Sequence, residues 1–141
     1  MLAFWQRLFG GVAVPLHLLK GERGENAAAR HLRSRGYKIL TRRFRGKHGE
    51  IDLVARDGDV LAFVEVKTRG SDQFGNPADA VNREKEEHLA SCAREYLRLL
   101  GNPRIPVRFD IVEVFMDDGA RDAREVRLIQ AAFTMRDRVS D

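Results

Sequence analysis

A chain of 141 residues, 43% hydrophobic and 33% charged, can bury one domain core and carries too much charge for a membrane-embedded protein. Its single cysteine, Cys92, excludes an internal disulfide and fits a reducing cytoplasm, and four scattered histidines without cysteine partners argue against a structural zinc motif. The net charge of +4 is lopsided: residues 1–50 carry 11 Lys/Arg and 3 Asp/Glu, which is +8, and residues 51–141 carry 14 and 18, which is −4. The basic residues concentrate in Arg30, Arg33, Arg35, Lys38, Arg42, Arg43, Arg45 and Lys47. Such a field attracts a polyanion, most commonly nucleic acid, although a solvated basic face with no such partner gives the same composition.

Residues 1–20 read as an N-terminal extension, either disordered or a short amphipathic helix carrying Phe4, Trp5, Leu8, Phe9 and Val12 and weakened by Gly10-Gly11 and Pro15. The apolar run Leu8–Leu19 is too short and too broken to span a bilayer, and it lacks the lead-in and cleavage site of a secretory signal. A domain is expected over 21–133, followed by a tail over 134–141. Glu22 to Arg35 predicts a helix with Ala28, Ala29 and Leu32 on one face and Gly36 as its stop. Tyr37–Phe44, Glu50–Arg56 and Val60–Thr68 predict three strands, the last two joined by a hairpin turn at Asp57-Gly58-Asp59. A polar loop over 70–76 leads to a helix opening at Asn76-Pro77 and running to about Leu100. Strands are expected at Val107–Phe115 and Val126–Ile129. The order implies an α/β fold, a mixed central sheet flanked by helices.

Three charges interrupt the apolar strands: Asp52 in the second, Glu65 and Lys67 in the third. An unpaired charge in the middle of a sheet costs several kcal/mol or more. Strand alternation puts Glu65 and Lys67 on one face. A two-residue turn adds Asp52 to that face, either diagonal to Glu65 (turn Asp57-Gly58) or directly opposite it (turn Gly58-Asp59). A three-residue turn with regular pairing would put it on the other. Two carboxylates so close repel unless a cation lies between them, and Mg2+ suits hard oxygen ligands. A buried salt bridge of Lys67 with either acid is the purely structural alternative. Glu25 falls on the apolar face of the first helix, and Lys85 falls in the second helix's stripe Val81, Lys85, Leu89, Cys92, Tyr96. Each has a dull explanation alone; together they add an acid and a base from elements that pack on the sheet.

Asp52, a gap, then Glu65-Val66-Lys67 resembles the PD-(D/E)XK nuclease signature, whose restriction-endonuclease-like core runs helix, three strands, helix, strand. More narrowly, Gly21–Glu25, Gly49–Val54, Phe63–Arg69 and Arg108–Asp110 resemble the YraN family of uncharacterised bacterial proteins, described as similar to Holliday-junction resolvases; the resemblance covers about Gly21 to Phe133. It implies Asp52 and Glu65 as metal-binding acids, Lys67 as catalytic lysine, Glu25 as a further metal acid from the first helix, and Lys85 as a supporting base. It also implies Mg2+ or Mn2+ as cofactor and Asp110 as a structural residue. Asn is usual where Arg43 stands. Resolvase-like enzymes often work as dimers, so a homodimer is the fold-level expectation, with no membrane partner. The expected function is a cytoplasmic, Mg-dependent endonuclease-like protein on DNA, branched or single-stranded, with Arg42, Arg43, Arg45 and Lys47 on phosphates. The alternatives are a catalytically silent nucleic-acid-binding module on the same fold and an interaction protein with a structural ion pair. Phe44, among the arginines, is expected to be core rather than a base-stacking platform.

Overall fold

The computed structural model describes residues 23–70, 83–117 and 119–135. The extension over 1–20, the helix start at Asn76-Pro77, Val81 and most of the 134–141 tail lie outside these residues. The described elements are α1 (Arg23–Ser34), β1 (Lys38–Arg45), β2 (Glu50–Asp57), β3 (Val60–Arg69), α2 (Arg83–Leu99), β4 (Val107–Phe115) and β5 (Glu125–Phe133).

The five strands form one mixed sheet in sequence order. β1, β2 and β3 are an antiparallel meander, β4 lies parallel to β3, and β5 returns antiparallel to β4. The turn between β2 and β3 is the two residues Gly58-Asp59, since Asp57 pairs with Val60. Gly58 takes φ 60°, the left-handed value such a turn needs.

Each face of the sheet buries its own core. On one, Ala27, Ala28, Ala29 and Leu32 of α1 pack on Leu53, Ala55, Ala62, Val64, Val112 and Val114. Small alanines let the helix approach closely. On the other, Leu89, Ala90, Cys92, Ala93 and Tyr96 of α2 pack on Ile51, Val54, Leu61, Phe63, Phe109 and Phe133. Phe63 lies against Phe109, and Phe109 stacks on Phe133 with centroids 4.4 Å apart. Phe44 joins this core, edge-on to Tyr96 at 5.0 Å.

β5 is longer than its expected Val126–Ile129 span. Phe109 and Ile111 are two residues apart, but their partners Phe133 and Ile129 are four apart, so β5 bulges at Gln130–Ala132. Ala131 has φ 52°, and its amide donates to Asp110 Oδ1 at 3.0 Å. The bulge breaks the alternation on which a strand is recognised, and its acceptor lies 21 residues away.

Candidate functional site

β1 and β2 change face together at one cross-strand pair. Arg42 donates to Asn26 Oδ1 of α1 at 2.8 Å, and its partner Leu53 belongs to the α1 core. Two residues on, Phe44 and its partner Ile51 pack on the α2 side. In regular strands these residues would share a face. The register sets Arg43 and Asp52 between these two pairs, and Arg43 has φ 53°.

Asp52 therefore stands at a crease. Its Oδ2 accepts the Val66 amide at 2.8 Å, so the carboxylate fills the place of a ladder carbonyl between β2 and β3. Backbone pairing of these strands ends accordingly at Leu53 with Val64. The register points Asp52 toward Glu65, the direct-opposite alternative, yet the carboxylate turns sideways toward β3. Burial pushes the Asp52 carboxyl up to about 7; the Val66 amide opposes this, and the charges of Glu65, Glu25 and Glu50 reinforce it.

Glu65 is buried at 7% exposure and ion-pairs with Lys85 Nζ from the first turns of α2. Lys67 follows two residues along β3, half-buried, with Glu113 of β4 as its lateral partner. Glu113 in turn holds Arg69 at 3.1 Å. Glu25 is buried at 9% exposure, with Arg43 Nε 3.3 Å from its Oε2. Gly24 explains how α1 brings Glu25 so near the sheet: a Cβ there would lie 2.0 Å from Thr68 Oγ1 of β3.

The structure thus brings Asp52, Glu65 and Glu25 into one electrostatic neighbourhood. Carboxylate oxygens without sulfur or imidazole are the donor chemistry Mg2+ takes. Among the described residues, however, no group of three His, Cys, Asp or Glu side chains is close enough to hold a metal ion. Lys85 and Arg43 hold two of the acids. Of the expected phosphate contacts, Arg42 and Arg43 turn toward α1, while Arg45 is exposed beside Glu50 at 3.2 Å and Lys47 is exposed in the β1–β2 loop. That loop rests on α2: Glu95 Oε2 accepts the Lys47 amide at 3.0 Å, and a Cβ at Gly46 would meet that oxygen at 2.5 Å.

Sequence patterns pointed only faintly to a second buried network. Asp110, 1% exposed, accepts from Tyr37 Oη (2.9 Å), Arg108 Nε (2.8 Å) and the Ala131 amide. Arg108 Nη2 also reaches Tyr37 Oη and Asp57 Oδ2, and Gln130 Nε2 donates to Tyr37 Oη at 2.7 Å. Burial foremost pushes the Tyr37 hydroxyl up to about 12, and the bond to Asp110 raises Arg108 further above its ordinary range. An acid inside the apolar strand Val107–Phe115 was the available signal. Its partners lie on α1's exit, β2, β4 and β5, which no local pattern joins.

Among the described residues no helix is long and apolar enough to cross a membrane. The chain is 50% identical over 113 residues to a UPF0102 protein of Symbiobacterium thermophilum, covering 80% of this chain and 94% of that one. It is 42% identical over 121 residues to a UPF0102 protein of Chlorobaculum tepidum, covering 84% and 94%. A UPF0102 protein of Rhodococcus jostii is 43% identical over 103 residues, covering 73% and 87%. With a family model matching residues 24–114 as well, the chain belongs to the uncharacterised protein family UPF0102.

Proposed function

We propose that this chain is a metal-dependent, endonuclease-like protein of restriction-endonuclease-like fold that hydrolyses DNA phosphodiester bonds, on branched or single-stranded substrates. The observation that carries this is the register, which sets Asp52 across from Glu65 where the backbone pairing of β2 and β3 ends, with Lys67 two residues further along β3. Asp52 and Glu65, with Glu25 beside them, would hold Mg2+ or Mn2+. When bound, such an ion supplies a Lewis acid for the phosphate and lowers the pKa of a water.

The chain's own groups do the rest. The Val66 amide fixes one Asp52 oxygen and leaves the other for a ligand. Lys67, on the Glu65 face, orients the attacking water or neutralises charge on the phosphate oxygens. Arg45 and Lys47 grip backbone phosphates outside the centre, joined by Arg42 and Arg43 where the duplex or strand approaches β1. Lys85 keeps Glu65 compensated before substrate arrives. We place the protein in the cytoplasm with its DNA, and as a homodimer by analogy of fold.

One gel tests this: four-way junctions, flaps, single strands and duplexes with Mg2+ or Mn2+, wild type against Asp52→Ala. Cleavage by the wild type that Asp52→Ala loses supports the proposal; equal cleavage by both removes it. A second reading has its own observation, since Lys85 and Arg43 already occupy two of the acids. It is a nucleic-acid-binding module without catalysis, in which DNA binding survives Asp52→Ala and no structure is cut.

A further inference from the structure

Arg43 is the residue whose geometry asks most for a reason. Its φ of 53° lies in the left-handed region within a strand, a conformation an arginine adopts only where its surroundings force it. It stands across from Asp52 at the crease where both strands change face. Its Nε lies 3.3 Å from Glu25 Oε2, and its side chain is 36% exposed against 9% for the acid. An arginine placed only to meet phosphates could do so from an ordinary strand position such as that of Arg45, whose side chain is 80% exposed.

Resting on the metal-dependent reading above, we propose that Arg43 is a positioning residue, an internal cation that neutralises Glu25 beside Asp52 and competes with a divalent ion for that carboxylate. The strained backbone delivers the guanidinium to the margin between the two faces. Extended backbone would carry it squarely to one face. Lys85 plays the matching part for Glu65 from the other side of the sheet. Both cations hold acids of the proposed centre, and among the described residues no group of three such side chains is close enough to hold a metal ion. Loading the centre then means displacing Arg43 from Glu25, which frees a guanidinium on the basic strand β1 for a phosphate.

Mn2+ binding by the full chain, followed through the paramagnetic resonance signal of the free ion, tests this independently of cleavage. Asn tolerates the left-handed backbone, so Arg43→Asn removes the charge without adding strain. It is expected to bind Mn2+ about tenfold more tightly than wild type, the scale of a partly exposed charge near a surface site. Arg43→Lys keeps a cation and is expected to match the wild type. Arg43→Gly, which also accepts this backbone, serves if the Asn variant does not fold. Should Asp52→Ala lose Mn2+ while Arg43→Asn and Arg43→Gly bind it no better than wild type, the role of Arg43 is overturned and the metal centre stands. If neither the wild type nor the Arg43 variants bind Mn2+, both fall.

Discussion

Burial raises the Asp52 carboxyl to about 7, so the folded chain keeps a proton that the unfolded chain releases near the ordinary 3.8. A raised acid pKa favours folding fully below the unfolded value, and that contribution is lost as the pH climbs through the folded one. The full shift corresponds to about 4 kcal/mol. Asp52→Asn keeps an acceptor for the Val66 amide and removes the titration. Urea unfolding from about pH 4 to about pH 7 should therefore show the wild type losing stability relative to Asp52→Asn, by up to that amount. A constant difference across the range would mean that Asp52 titrates normally. Tyr37 offers a second test. Tyr37→Phe strips a hydroxyl that joins Asp110, Arg108 and Gln130, and leaving the buried Asp110 short of a donor should cost about 1–3 kcal/mol in the same assay. Residue types exposed Asp52, Glu65 and Lys67 in the sequence because a charge in an apolar strand is conspicuous. Arg43 carried no such mark. It reads as one more basic residue on a basic strand, and its backbone conformation is not written in its type.

At the scale of elements, the β2–β3 hairpin, the first four strands and the described parts of both helices follow from local chemistry. Asp57-Gly58-Asp59 marks the hairpin but leaves its register open among three turns, of which the structure takes Gly58-Asp59, and the strand Val107–Phe115 runs as its alternation implies. The crease at Arg43 and Asp52 and the bulge in β5 were not legible, because periodicity assumes unbroken alternation and both features are held by partners far along the chain. The seating of α1 also depends on a distant contact, between Gly24 and Thr68. Gly24→Ala should push the first turn of α1 off β3, costing about 1–3 kcal/mol by overpacking. Thr68→Ala removes the offending hydroxyl, so the double variant should recover much of that loss. Simple additivity of the two changes in thermal or urea unfolding would show that the contact is not what seats the helix.

Across the whole molecule, the two cores place α1 and α2 on opposite faces, and Glu25 and Lys85 approach the sheet from those two sides. The candidate centre is thus assembled by layers as well as by strands. Sequence periodicity could assign each residue to a face but could not show that the faces meet at Asp52. The basic first half of the chain makes DNA binding, under the proposed function, steeply salt-dependent, with a slope set by the phosphates neutralised. Arg45→Ala and Lys47→Ala should each lower that slope by about one and leave any structural preference intact. Binding insensitive to salt would take away the electrostatic footing of the DNA proposal. The bond from the Val66 amide to Asp52 has a practical consequence. A backbone proton that would ordinarily rest on a neutral carbonyl rests on an ionisable oxygen. The nuclear resonance of that one amide, and its rate of exchange with solvent, should therefore follow the charge of the centre. Val66 becomes a native reporter of protonation and, under the proposed function, of ion loading or substrate arrival, with no label introduced.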